Sequence, residues 1–147
     1  MFNTILAAYD GSKGADLALE KAAELAKLCD AEVRVLTVYR HHSMLEASLS
    51  MVRGSSEANT NMDDVMRDVA RETAEQAKTY LTDTGMEKVS AFIQGGPSAR
   101  TIVSFAKENG CDLIVLGSRG LGSSEGYMLG SVSHKVTSLT DIPVLVV

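Results

Sequence analysis

The chain has 147 residues, 45% of them hydrophobic and 22% charged, and a formal net charge of −5. That apolar content fills a packed core and excludes a disordered segment, and the length suits one domain spanning 1–147. The acidic balance argues against nucleic acid or an anionic membrane as partner, and no apolar run reaches the length of a membrane span. The start, Met1-Phe-Asn-Thr-Ile, shows no basic stretch followed by an apolar one, so no secretory signal is expected and the cytoplasm is the expected compartment. Cys29 and Cys111 stand far apart in no CxxC pattern and read as buried free thiols.

Strands and helices alternate along the chain. Residues 4–8 form a short apolar strand, and 14–29 a helix with Ala15, Ala18, Ala22, Leu25, Ala26 and Cys29 on one stripe. Residues 32–39 are rich in β-branched side chains and strand-like. The polar stretch 41–61 reads as an irregular connection, with a short helix over 44–51, and a loop of that length is functional or mobile as a rule. A long helix over 63–82 is expected to turn Met62, Val65, Met66, Val69, Ala77, Tyr80 and Leu81 inward and to stop at Gly85. A strand over 88–94 follows, then a helix over 98–109 with Ile102, Val103, Phe105 and Ala106 inward and Gly110 as its cap. A buried strand over 112–116, a helix over 131–139 and a strand over 142–147 complete the pattern. Five strands joined by helical crossovers predict an α/β three-layer sandwich, with a mainly parallel sheet and helices on both faces.

The segment between the fourth strand and the last helix carries the chemistry. It reads Gly117-Ser-Arg-Gly120, nine residues, then Gly130-Ser131. A strand, a glycine-punctuated loop and a helix start can cradle phosphate: glycines let backbone approach an anion, and the helix offers unpaired N–H donors. The same glycines also suit an ordinary surface loop. Ser131 reads either as an N-cap or as a phosphate ligand, and the complete spacing around it favours the ligand. Gly130 is expected to leave the anion's place clear of a side chain. Arg119 is a phosphate partner or a solvated loop arginine. Lys135 is expected in solvent, and Glu125 is expected to point away from the loop's concave side. His41-His42 lack the further ligands that a metal would need. Neither a Gly-Lys-Ser/Thr nor a GxGxxG after the first strand is present, so a P-loop or dinucleotide enzyme is poorly supported. No catalytic residue is assigned.

Gly117, Gly120, Gly130 and Ser131 fill every position of Gly-x2-Gly-x9-Gly-Ser, which resembles the nucleotide-binding signature of the universal stress protein family. The start, Thr4-Ile-Leu-Ala-Ala-Tyr-Asp10-Gly-Ser12, is similar to that family's first strand, and Asp141-Ile-Pro-Val-Leu-Val-Val147 to its last. The resemblance implies a sheet order of third, second, first, fourth, fifth strand. It implies ATP as ligand, accompanied by magnesium or manganese, with Asp10 beside the nucleoside, the Val38 backbone on the adenine and the Val132 N–H in the phosphate site. It also implies a regulator of stress tolerance working as a homodimer, paired through the strand at 142–147. A slow or partner-stimulated ATPase and a nucleotide-free dimeric interaction module are the two alternatives.

Overall fold

The computed structural model describes residues 1–40, 56–120 and 129–147, and of 56–61 the backbone only. The elements run β1 (Thr4–Ala8), α1 (Lys13–Cys29), β2 (Glu32–Tyr39), α2 (Ser56–Asp83), β3 (Val89–Gly95), α3 (Ser98–Glu108), β4 (Leu113–Leu116), α4 (Ser131–Leu139) and β5 (Val144–Val146). All four strand pairings are parallel, in the order β3-β2-β1-β4-β5. That order agrees with the one the resemblance implied. Because side chains alternate along a strand, each strand feeds two cores. Ile5, Ala7, Val33, Val35, Leu113 and Val115 pack under α1 and α2. Leu6, Leu36, Ile114 and Leu116 pack under α3 and α4 on the opposite face.

Local chemistry explains the element ends. Ser12 caps α1 by accepting the Ala15 N–H at 3.1 Å, and Asp30 ends that helix in the left-handed region at φ 54°. The α1 stripe is alanine-rich: Ala15, Ala18, Leu19, Ala22, Ala23 and Ala26 are buried, which seats the helix close on the sheet. Cys111 is buried and Cys29 half-buried, both as free thiols, and burial pushes the Cys111 thiol up to about 11.

Two expectations about α2 are corrected. The helix begins at Ser56 and so takes in the end of the stretch read as irregular. Its inner face is also a different one. Ala70, Ala74, Ala77 and Leu81 are buried, whereas Met62, Val65, Val69 and Tyr80 are exposed. Only Ala77 and Leu81 of the expected set are buried. The physical reason is close packing: small side chains at helical spacing bring the backbone onto the sheet, and bulky residues on the flank are left outside. β3 keeps its expected length but is shifted by one residue, and β4 and β5 are shorter than expected, β5 most of all. The expected helix at 44–51, His41-His42 and Glu125 lie outside the described residues.

Candidate functional site

The crossovers change sides of the sheet between β1 and β4, so the loops after these neighbouring strands diverge and leave a crevice at their carboxyl ends. A cleft of about 470 Å³ lies there. Asp10, Val38, Gly117, Arg119, Gly120, Gly130, Ser131 and Val132 all line it, although they come from four separate parts of the chain. Every site residue expected from the sequence is thus brought to one space. Tyr9, Ser12, Arg40, Ser98 and Ser133 line it as well, and none of these was singled out from the sequence.

The wall on the β1 side is held by side-chain hydrogen bonds. The Asp10 carboxylate accepts the Ser12 N–H at 2.9 Å, a tight Asx turn that leads into the α1 cap. The Thr37 hydroxyl donates to the Tyr9 carbonyl at 2.8 Å, which ties the end of β2 to the end of β1. The Tyr9 hydroxyl donates to Asp16 at 2.6 Å. Burial, then that hydrogen bond and the charges of Asp16 and Asp10, push the phenol up to about 12.

The three signature glycines have different work. A Cβ on Gly117 would lie 2.6 Å from the Gly14 carbonyl carbon, and one on Gly14 would lie 2.7 Å from the Arg119 carbonyl oxygen. Gly14 and Gly117 therefore pack the start of α1 directly on the loop. The space expected for an approaching ligand beside Gly117 is taken by Gly14. At Gly130 a Cβ would meet the Ser118 carbonyl oxygen at 3.1 Å and Arg119 Cα at 3.2 Å, so a side chain there would press on the loop rather than enter an anion's place. At Gly120 the added atom would meet an Asp10 carboxylate oxygen at 3.0 Å. Gly120 alone of the three borders a group that can swing aside.

The backbone amides also divide. The Ser118 N–H donates to the Val147 carbonyl at 2.8 Å, and the Gly130 N–H donates to the Ser118 carbonyl. Those two donors are used within the protein. Gly130, in extended backbone, is the N-cap of α4, and among the described residues no side chain caps the helix. Ser131 is therefore the first helical residue, not the cap, and it is exposed. Helix geometry leaves the N–H groups of Ser131, Val132 and Ser133 without an intrahelical acceptor. No acidic residue stands in that first turn. Ser133 is the hidden support of the arrangement. Its buried hydroxyl lies 2.9 Å from the Ser118 carbonyl and 3.0 Å from the Gly130 carbonyl, fastening the loop to the helix start. A serine two residues past the signature carries no periodic or spacing signal that would mark it.

Arg119 and Arg40 bring positive charge to the cleft, and Asp10 is the one carboxylate among its described lining residues. Among the described residues no three metal-ligating side chains come together. The apolar share of the wall comes from Ala8, Leu36, Val38, Ile102, Leu116 and Val132. The arrangement is one that can hold a flat apolar group with an anionic tail.

An open parallel α/β sheet with a ligand cleft at its switch point defines the class. The universal stress protein family model matches residues 1–147, and the chain belongs to that family. It is 39% identical to universal stress protein YxiE of Bacillus subtilis, with 100% of this chain and 99% of that protein covered. The solved structure of MJ0577, a universal stress protein of Methanocaldococcus jannaschii, is similar at a TM-score of 0.83 and 29% identity, covering 100% of this chain and 96% of that one. A universal stress protein from Archaeoglobus fulgidus, solved in complex with dAMP, shares the fold at a TM-score of 0.67 and 24% identity, over 99% of this chain and 97% of that one.

Proposed function

We propose that the cleft binds an adenine nucleotide, ATP foremost, and that the protein is a nucleotide-responsive regulator of stress tolerance. The observation that carries this reading is the convergence of the uncapped α4 start, the 117–120 loop and Arg119 on one cleft with an apolar inner wall. In this reading the phosphates lie against the N–H groups of Ser131, Val132 and Ser133, where the helix dipole favours negative charge. The Val38 backbone borders the adenine, and the Asp10 carboxylate accepts from a ribose hydroxyl. The dAMP complex of the Archaeoglobus fulgidus protein supports the adenine class for this fold. A magnesium or manganese ion would arrive on the phosphates, since Asp10 alone makes no protein cage for one. The unit proposed is a single domain, 1–147, in the cytoplasm, working as a homodimer joined along β5, the last strand of the sheet.

The test is a mass spectrum of small molecules released from the purified protein on denaturation, with sedimentation of the same sample. ATP or AMP in stoichiometric amount and a two-chain species are expected. A protein that stays empty after incubation in millimolar ATP sinks the reading and favours a nucleotide-free interaction module. Steady accumulation of ADP above a protein-free control would move it to a slow ATPase.

A further inference from the structure

A second groove, of about 790 Å³, adjoins the cleft. Arg40, Ser98, Ser131 and Val132 line both spaces, so the two meet along one seam. The groove's own wall adds Arg100 from α3 together with His134 and Lys135 from α4. All of Arg40, Arg100, His134 and Lys135 are exposed, and no carboxylate stands among the described lining residues. None of these cations is in an ion pair among the described residues; the pairs formed there belong to Lys21, Arg34, Arg71 and Lys88. In a chain of net charge −5, three permanent cations and an imidazole facing one space are a local reversal of sign. Such a focus of potential raises the local concentration of anions. The start of α3 adds to it, with Pro97 as cap, no side-chain cap bond and no acidic residue in the first turn. The cleft itself is less cationic, because Asp10 joins Arg119 and Arg40 among its described lining residues.

We propose that this groove is a second anionic subsite, which takes the far phosphates of a nucleoside polyphosphate whose chain is longer than a triphosphate. The proposal rests on the nucleotide reading of the cleft. A phosphate chain that starts against the first turn of α4 has a continuous path across the seam at Ser131 and Arg40. Beyond it, Arg100 and Lys135 meet charge that a triphosphate does not carry that far. A chain that ends free and one that ends in a second nucleoside share this chemistry.

Isothermal titration of the whole chain with ATP, adenosine tetraphosphate and diadenosine tetraphosphate tests it, on the natural protein and on an Arg100→Gln, Lys135→Gln double variant. Both positions are exposed and line the groove but not the cleft, and thermal melts confirm that the variant is folded. The tetraphosphates are expected to bind the natural protein about tenfold more tightly than ATP, as two additional exposed charge contacts would give. The double variant is expected to erase that advantage and to leave ATP within about twofold of its original affinity. Tighter binding of the diadenosine compound assigns a second nucleoside to the groove, and tighter binding of adenosine tetraphosphate assigns a free end. Equal affinities for ATP and both tetraphosphates, or an equal loss for all three in the variant, overturn the subsite while the nucleotide reading stands. Failure of all three to bind the natural protein overturns both.

Discussion

Where the strands begin, polar side chains tie one strand to the next. The Asp112 carboxylate accepts the N–H groups of Asn3 and Thr4 at 2.8 and 3.1 Å, and the Thr4 hydroxyl donates to Glu32 at 3.1 Å. Arg34 then spans Glu32 at 2.7 Å and the Asn109 carbonyl at 3.0 Å. Where the strands finish, Asp10, Thr37 and Ser133 also bond to backbone, but here glycines bring loops into direct backbone contact as well. One end of the sheet is cross-linked by side chains. The other adds close main-chain contacts between loops, and its first-turn donors face a cleft. The difference teaches that fixing the strands at one end frees the opposite loops for ligand contact.

The sharpest way to break this contrast is Gly117→Val. Its side chain would collide with the Gly14 backbone, which cannot rotate away, so a loss of about 3 kcal/mol or failure to fold is expected. Urea denaturation measures it. Gly120→Ala is the companion, because its neighbour is a carboxylate that can swing aside. It should cost less than about 1 kcal/mol in the same measurement. Similar losses at both positions would show that the loop glycines share one role.

Asp112→Ala tests the closed end. It strips the acceptor from two backbone donors, and a loss of about 2 kcal/mol is expected, with affinity for ATP unchanged. Weakened nucleotide binding in a folded Asp112→Ala protein would contradict the separation of the two ends. Tyr9→Phe sharpens the comparison through pH. The Tyr9 phenol is held near 12 against an ordinary value of 10.0, so between these values the unfolded chain has lost a proton that the folded one keeps. Its contribution to stability is therefore complete below pH 10.0 and lost as pH rises towards about 12. Stability measured across that window should fall less steeply in Tyr9→Phe. Parallel curves for the two proteins would rule out this contribution.

Much of this architecture can be read directly from residues. β1 and β2 keep their expected bounds, because apolar, β-branched runs between turn residues leave little choice of period or register. The strand–glycine–helix succession pointed to the loop that borders the cleft. What stayed hidden depends on contacts across the chain. The alanine face of α2 was masked by larger apolar residues on its flank, since side-chain size suggests burial where close approach actually favours small residues. The pairing of Gly14 with Gly117 joins segments about a hundred residues apart, and nothing local to either marks it. Arg40 and Ser98 reach the cleft only because the sheet order sets the ends of β2 and β3 beside those of β1 and β4.

The bond from the Ser118 N–H to the Val147 carbonyl, with the Val147 N–H returned to the Leu116 carbonyl at 3.0 Å, sews the outermost strand to the glycine loop. If a second chain aligned along the outer edge of β5, as the proposed dimer requires, it would stiffen that loop, and a nucleotide in the cleft would stiffen the edge in return. Under the proposed function, assembly and occupancy would then be linked variables, each shifting the other by the same free energy.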